Sequence, residues 1–208
     1  MNNSSDDICR KLEKTYDKLG ERYLESIEKL TPHYFDSFIK LLPKNGLILD
    51  VGCAGGRDSE KFVKAGFKVV GIETVDKFIR IARKRIPQAE FKKMNLMNLD
   101  LPKNLFDGIW ANAVLLHIPK KEMPKVLRDL FEILKPEGRI YIAVKEGNCE
   151  RLVEDKLSAG HKRFFSFFAQ DEISKLVKQA GFEIIEIKLE SDPAGRSEVS
   201  WIHLIAEK

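Results

Sequence analysis

The sequence predicts an α/β fold: a Rossmann-like, doubly wound and mostly parallel seven-stranded sheet, with helices on both faces and an antiparallel C-terminal hairpin. From Leu47 onward, short apolar runs alternate with amphipathic stretches, the pattern of βαβ units. The first run, Leu47 to Val51, breaks into a glycine-rich turn that opens a helix. The last two strand-like segments flank a polar turn, as in a hairpin at a sheet edge.

Each element follows from local pattern. Ile8, Leu12, Leu19, Tyr23, Ile27 and Leu30 recur at helical spacing, with Ser5 or Asp6 as N-cap. Thr31-Pro32 starts a second helix carrying Tyr34, Phe35, Phe38 and Leu42, and Pro43 to Gly46 stops it. After the first strand, a helix with Phe62 and Val63 inward ends at Ala65-Gly66. Val69 to Ile72 is a second strand closed by Glu73, followed by a helix over 76–86 and a third strand over 89–93. Phe106 to Ala111 is a fourth strand, Pro119 opens a helix ended by Pro136-Glu137-Gly138, and Arg139 to Val144 is a fifth strand. A helix over 170–180 leads to strands over 182–189 and 201–206.

Composition bounds the function. At 208 residues the chain suits one sizeable α/β core. With 43% hydrophobic and 33% charged residues it reads as a soluble globular protein, and no apolar run is long enough for a membrane span. The polar, acidic first residues do not read as a signal peptide. The three cysteines, Cys9, Cys53 and Cys149, have no metal or redox spacing, so free thiols in a reducing cytoplasm are expected, with no metal. A formal charge of +4 is explained by a lysine-rich solvated surface as readily as by nucleic-acid binding.

The richest segment is Ile48 to Asp58, I-L-D-V-G-C-A-G-G-R-D. Its glycines, Gly52, Gly55 and Gly56, let backbone approach a ligand, and the helix behind them presents free N–H groups. Glu73, ending the second strand, is placed to accept from a ribose diol. Together these features imply a nucleoside-containing ligand. The frame is D-x-G-x-A-x-G rather than the dinucleotide G-x-G-x-x-G, and no Gly-Lys-Ser/Thr of a P-loop follows. Asp50 beside the turn suits a cationic group better than a pyrophosphate.

This pattern resembles motif I of the class I S-adenosylmethionine-dependent methyltransferases, with Asp50 as the motif acid and Glu73 as the ribose acid. Ala54 stands where the family usually has its second glycine, a substitution expected to be tolerated with φ negative. The resemblance spans roughly residues 46–208. It divides one domain into an N-terminal helical lid (1–45), a cofactor-binding core (46–145) and a substrate-side insert with the terminal hairpin (146–208).

The resemblance implies S-adenosyl-L-methionine as cofactor and S-adenosyl-L-homocysteine as product. It places Gly52, Cys53, Ala54, Gly56, Arg57 and Asp58 at the turn, and Glu73 and Thr74 at the ribose. Asn95 would take the place of an acid at the adenine amino group, with Leu96 and Met97 against the ring. Ala111, Asn112, Ala113 and Leu116, from a segment similar to motif IV, would lie beside the cofactor. His117 is a candidate general base. Tyr16 and Tyr23 resemble a Y-D-x-x-A-x-x-Y pattern of the family and would reach the cofactor or lie on the helix face.

Between Glu146 and Ala169, His161-Lys162-Arg163 precedes Phe164-Phe165-Ser166-Phe167-Phe168, a candidate acceptor pocket or a buried turn. Glu146, Arg163, Phe164, Phe165, Arg196 and Trp201 are the candidate substrate residues. A sulfonium methyl is already activated, so positioning carries most of the catalysis, about 7–11 kcal/mol. Trp110 to Ala113, W-A-N-A, replaces the N-P-P-Y of amino-methylating DNA and glutamine enzymes. The expected reaction is in-line methyl transfer to a small-molecule acceptor. The alternatives are a tRNA wobble-nucleoside methyltransferase, a non-catalytic cofactor-binding partner subunit and, most distantly, a nicotinamide oxidoreductase. The sequence leaves the oligomeric state open.

Overall fold

The apolar run Leu47–Val51 is strand β1, with Ile48 and Leu49 wholly buried inside a seven-stranded sheet. The computed structural model describes residues 4–30, 34–154, 160–192 and 199–208. The helices are α1 (Ser5–Glu28), α2 (Phe35–Ile39), α3 (Arg57–Lys64), α4 (Asp76–Arg85), α5 (Met123–Ile133) and α6 (Gln170–Gln179). The remaining strands are β2 (Lys68–Glu73), β3 (Glu90–Lys93), β4 (Phe106–Asn112), β5 (Leu134–Lys145), β6 (Glu150–Val153), β7 (Arg163–Ser166), β8 (Glu183–Ser191) and β9 (Ser200–Glu207).

The sheet order is β3-β2-β1-β4-β5-β9-β8. The first five strands are parallel; β9 runs antiparallel between β5 and β8. The chain winds outward from β1 to β3, then crosses back over β1 to reach β4 and β5. That reversal makes the carboxyl ends of β1 and β4 a switch point, where open α/β sheets bind ligands. Helix α3 packs on β1 and β2, α4 on β2 and β3, and α5 on β5 and α6. At the core, the Trp110 and Tyr141 rings stack 4.0 Å apart, with Phe38 and Phe62 against Trp110. Among the described residues, no helix is long and apolar enough to cross a membrane.

Four features differ from the sequence reading. Ser4, not Ser5 or Asp6, caps α1, accepting from the Asp7 N–H. Gly20 interrupts α1 with φ 55° and ψ −138°, values few residues but glycine adopt. The Thr31-Pro32 start of the second helix lies outside the described residues. Strand β5 begins at Leu134 rather than Arg139, because Pro136 and Glu137 fit in an irregularity of the β4–β5 pairing instead of ending the element. The segment after β5, read as a pocket or a turn, holds a separate two-stranded antiparallel hairpin, β6–β7. The outer edge strand β8 leaves Ile185 and Leu189 about half exposed, at 46% and 48%.

One close approach is decisive for packing. A Cβ on Gly71 of β2 would lie 2.6 Å from the Phe91 ring and 2.8 Å from Cys53 Sγ, inside van der Waals contact. Gly71→Ala is therefore expected to destabilise the protein by about 1–3 kcal/mol, the usual cost of overpacking. A urea midpoint equal to that of the wild type would show that this contact is slack.

Candidate functional site

A cavity opens at the switch point, enclosing about 790 Å³ of empty space including its solvent-facing mouth. Each of four parallel strands delivers residues from its carboxyl end: Gly52 and Ala54 after β1, Glu73 and Thr74 at β2, Asn95 and Leu96 after β3, and Ala113 and His117 after β4. Helix α1 roofs the space with Leu12, Tyr16 and Tyr23. Gly52 is required where it stands, because a Cβ there would come 2.6 Å from Val114 Cγ2.

Glu73 joins two of these strand ends. Its Oε1 accepts from the N–H groups of Thr74 (2.6 Å) and Val75 (3.0 Å) and from Thr74 Oγ1 (3.2 Å); its Oε2 accepts from Ala54 N–H (3.1 Å). Oε2 thus retains capacity to accept from a ligand. Burial pushes this carboxyl above its ordinary pKa, and the backbone N–H bonds oppose the shift. Ala54, expected with negative φ, has φ +46°; Ala113 has φ +57°. Left-handed backbone costs an alanine about 1–2 kcal/mol. The bond to Glu73 holds Ala54 there, and both strained residues line the cavity, as is common at functional sites.

Below the turn lies a buried polar network. Asp58 accepts from Arg57 Nε (2.7 Å) and Nη2 (3.0 Å), Trp110 Nε1 (3.0 Å) and Asn112 Nδ2 (3.0 Å). Burial works against its ionisation, but the Arg57 charge and these donors prevail and hold its pKa low. Arg57 also donates through Nη1 to Ile27 O (2.6 Å), tying the end of α1 to the core. Asp50 accepts from Ser59 Oγ (2.5 Å), and burial with the Asp58 charge pushes its carboxyl up.

Of the residues the sequence singles out, Tyr16, Tyr23, Gly52, Ala54, Glu73, Thr74, Asn95, Leu96, Ala113 and His117 line the cavity. Asp50, Cys53, Gly56, Arg57, Asp58, Met97, Ala111, Asn112 and Leu116 do not, and support it from behind. Asp50 in particular does not face the space a cationic ligand group would fill. Asn95 Oδ1 accepts from Met97 N–H (2.9 Å) and keeps one lone pair for a ligand. Glu146 is exposed away from the cavity, and Trp201 is buried near the start of β9, between β5 and β8, with Nε1 on Asp192 (2.7 Å). Arg196 lies outside the described residues. Cys9, Glu13, Met94, Val114 and Ile118 also line the cavity without having been singled out. Cys9 and Glu13 share the helix face of Leu12 and Tyr16, a spacing legible in the sequence.

Arg163, Phe164 and Phe165 converge on His117. His117 Nδ1 lies 2.7 Å from Phe164 O, a pure acceptor, so Nδ1 carries the proton and Nε2 is the acceptor in the neutral ring. Tyr16 Oη, 2.7 Å from Nε2, therefore donates to it, and Arg163 Nη1 donates to Tyr16 Oη (2.9 Å). The Phe165 ring lies 4.7 Å from the imidazole.

A methyltransferase-domain family model matches residues 20–187. The ubiquinone biosynthesis O-methyltransferase of Nitrosospira multiformis is 24% identical over 178 residues, covering 79% of this chain and 73% of that protein. The Burkholderia thailandensis 1,6-didemethyltoxoflavin-N1-methyltransferase, solved with 1,6-didemethyltoxoflavin and S-adenosylhomocysteine bound, superposes with a TM-score of 0.81 at 19% identity, over 100% of this chain and 92% of that one. A Methanosarcina mazei SAM-dependent methyltransferase gives a TM-score of 0.73 at 22% identity, over 86% and 98%. At such identities these two structures speak for the fold alone.

Two outcomes test the site's energetics. Ala54→Gly relieves the left-handed strain of about 1–2 kcal/mol and returns about 0.4–1 kcal/mol of unfolded-state freedom. Urea denaturation is expected to show a net gain on the order of 0.5–1 kcal/mol, and a loss would place the strain elsewhere. For Asp50, the folded state binds the proton more tightly than the unfolded state. Stability from this group therefore falls as pH rises from about 4 toward neutrality. Thermal midpoints of Asp50→Asn and wild type are expected to separate across that range in favour of the variant; a constant gap would contradict the raised pKa.

Proposed function

The chain belongs to the methyltransferase-domain family, as a class I enzyme dependent on S-adenosylmethionine, and on that premise we propose that it methylates a small molecule by in-line displacement. The observation that carries the ligand assignment is the charge of the cavity wall. Its lining residues include two acids, Glu13 and Glu73, and no lysine or arginine among the described residues. That suits a cationic nucleoside and opposes the pyrophosphate of a nicotinamide cofactor.

When bound, S-adenosylmethionine supplies a methyl group already activated on a sulfonium. Glu73 would accept from the ribose diol, and Asn95 with Leu96 and Met94 would take the adenine. The Gly52–Ala54 turn and Tyr23 would hold the amino-acid part, and the aromatic roof of α1 would exclude water and favour a cation. Residues 1–45 act as the lid, 46–145 as the cofactor core, and 146–208 as the acceptor side. A small acceptor is supported by a cavity roofed by α1 and by relatives named for small-molecule chemistry. The tRNA alternative gains no support from those relatives.

Glu73→Gln keeps the shape of the side chain and removes its charge. A hydrogen bond to a charged acceptor is worth about 1.5–3 kcal/mol, so calorimetry is expected to show S-adenosylhomocysteine binding weakened on the order of 10–100-fold. Unchanged affinity in a folded variant would remove Glu73 from the ribose site.

A further inference from the structure

We infer that Tyr16, backed by His117 and Arg163, is the group that takes a proton from the methyl acceptor, and that the acceptor is a phenolic or enolic hydroxyl. This rests on the proposed methyl transfer and adds the substrate class and the proton's route.

The direction of the chain is set by chemistry. Arg163 donates only, and the Phe164 carbonyl accepts only. Between them the bonds run one way: Arg163 Nη1 to Tyr16 Oη (2.9 Å), Tyr16 O–H to His117 Nε2 (2.7 Å), and His117 Nδ1–H to Phe164 O (2.7 Å). His117 therefore cannot meet an acceptor through Nε2 directly, because Tyr16 already occupies it. The second lone pair of Tyr16 Oη lies beside the Tyr23 hydroxyl, and Tyr16, Tyr23 and His117 all line the cavity, so an acceptor hydroxyl reaches that lone pair by taking the place of Tyr23. An acceptor hydroxyl donating to that lone pair completes a relay ending on a neutral imidazole.

The balance is simple. The acceptor's proton passes to Tyr16 Oη as the Tyr16 proton passes to His117 Nε2. The oxygen, left with its electron pair, forms the bond to the methyl carbon while the electrons of the old bond stay on sulfur as a neutral thioether. His117, now an imidazolium held by Phe164 O, returns its proton to water. Tyr16 ends as it began.

Burial keeps Tyr16 protonated, so it passes a proton on rather than standing as a phenolate. Arg163, buried against the Tyr16 and Phe165 rings (5.4 and 5.2 Å), places positive charge where the acceptor oxygen becomes negative. Among the described residues, the other titratable or charged groups around the relay include Tyr23, Cys9, Glu13 and Glu73 on the cavity wall, and Lys145 behind Phe165. A relay ending on imidazole matches a weakly acidic hydroxyl; an aliphatic alcohol is far too basic, and a carboxylate needs no base. Leu12, Val114 and Ile118 leave the neighbouring wall apolar, as a ring requires.

The test uses 4-nitrophenol, whose ionised form is coloured, with the full chain saturated by S-adenosylhomocysteine so that no methyl moves. At a pH where the free probe is mostly protonated, wild type is expected to bind it as the coloured phenolate. Tyr16→Phe and His117→Gln, each checked for folding by its thermal midpoint, are expected to bind it protonated. Colour persisting in His117→Gln would assign ionisation to the Arg163 charge alone and overturn the relay. In turnover, transfer to unsubstituted phenol is expected to drop about 10²–10⁴-fold in Tyr16→Phe, while transfer to pre-ionised nitrophenolate at higher pH recovers to within about tenfold. Equal losses on both acceptors would reduce Tyr16 to packing. Wild type that binds S-adenosylhomocysteine yet methylates neither phenol would overturn the acceptor class, whereas failure to bind S-adenosylhomocysteine would overturn the methyltransferase reading itself.

Discussion

The carboxylate of Glu73 is the constraint on which the cavity depends. Four donors from two strand ends converge on it, and one of them, the Ala54 N–H, belongs to a residue held in a conformation alanine disfavours. Without that anchor, the turn after β1 would relax toward ordinary backbone, and the space between β1 and β2 would lose its shape. A single side chain thus fixes the loop geometry and still offers an oxygen to a ligand. Its cost is a partly desolvated negative charge, offset by the backbone dipoles around it.

A second acid, Asp58, does for the far side of the cavity what Glu73 does for the near side. It gathers α3, through Arg57, and β4, through Trp110 and Asn112, into one buried knot. Arg57 extends that knot to the last turn of α1. The roof is therefore tied to the floor by a charged network, while its outer half meets the core through Tyr16 at His117. Gly20 separates these two attachments, so each half of α1 takes its own direction.

Much of this was legible from the residues. The apolar runs located the sheet because buried parallel strands are apolar on both faces, and Gly52, Glu73 and Asn95 sit at strand ends that their spacing already implied. What stayed hidden depended on long-range geometry. Asp50 has the motif position but turns beneath the loop to Ser59, a choice that spacing cannot reveal. Ala54 reads as a methyl in a tight turn; only the Glu73 bond, nineteen residues away, sets its φ. The β6–β7 hairpin has strands of four residues, too short for alternation to register. Pro136 and Glu137 look like a stop because bulges and ends share their composition. His117 reads as a free imidazole until Tyr16 and Phe164, distant in sequence, claim both its nitrogens.

The strand order has a further consequence at its rim. The sheet stops at β8, whose outward ladder of N–H and C=O groups runs beside the half-exposed Ile185 and Leu189. An open apolar edge is a template for stacking between molecules. Here the strand alternates those residues with charged ones, Glu183, Glu186 and Lys188, and the Lys188–Glu186 pair sits in the middle of the edge. A neighbouring sheet sliding into register would have to strip water from these charges, which makes self-association costly. The charges on β8 thus act as gatekeepers along an edge that, among the described residues, no further strand covers.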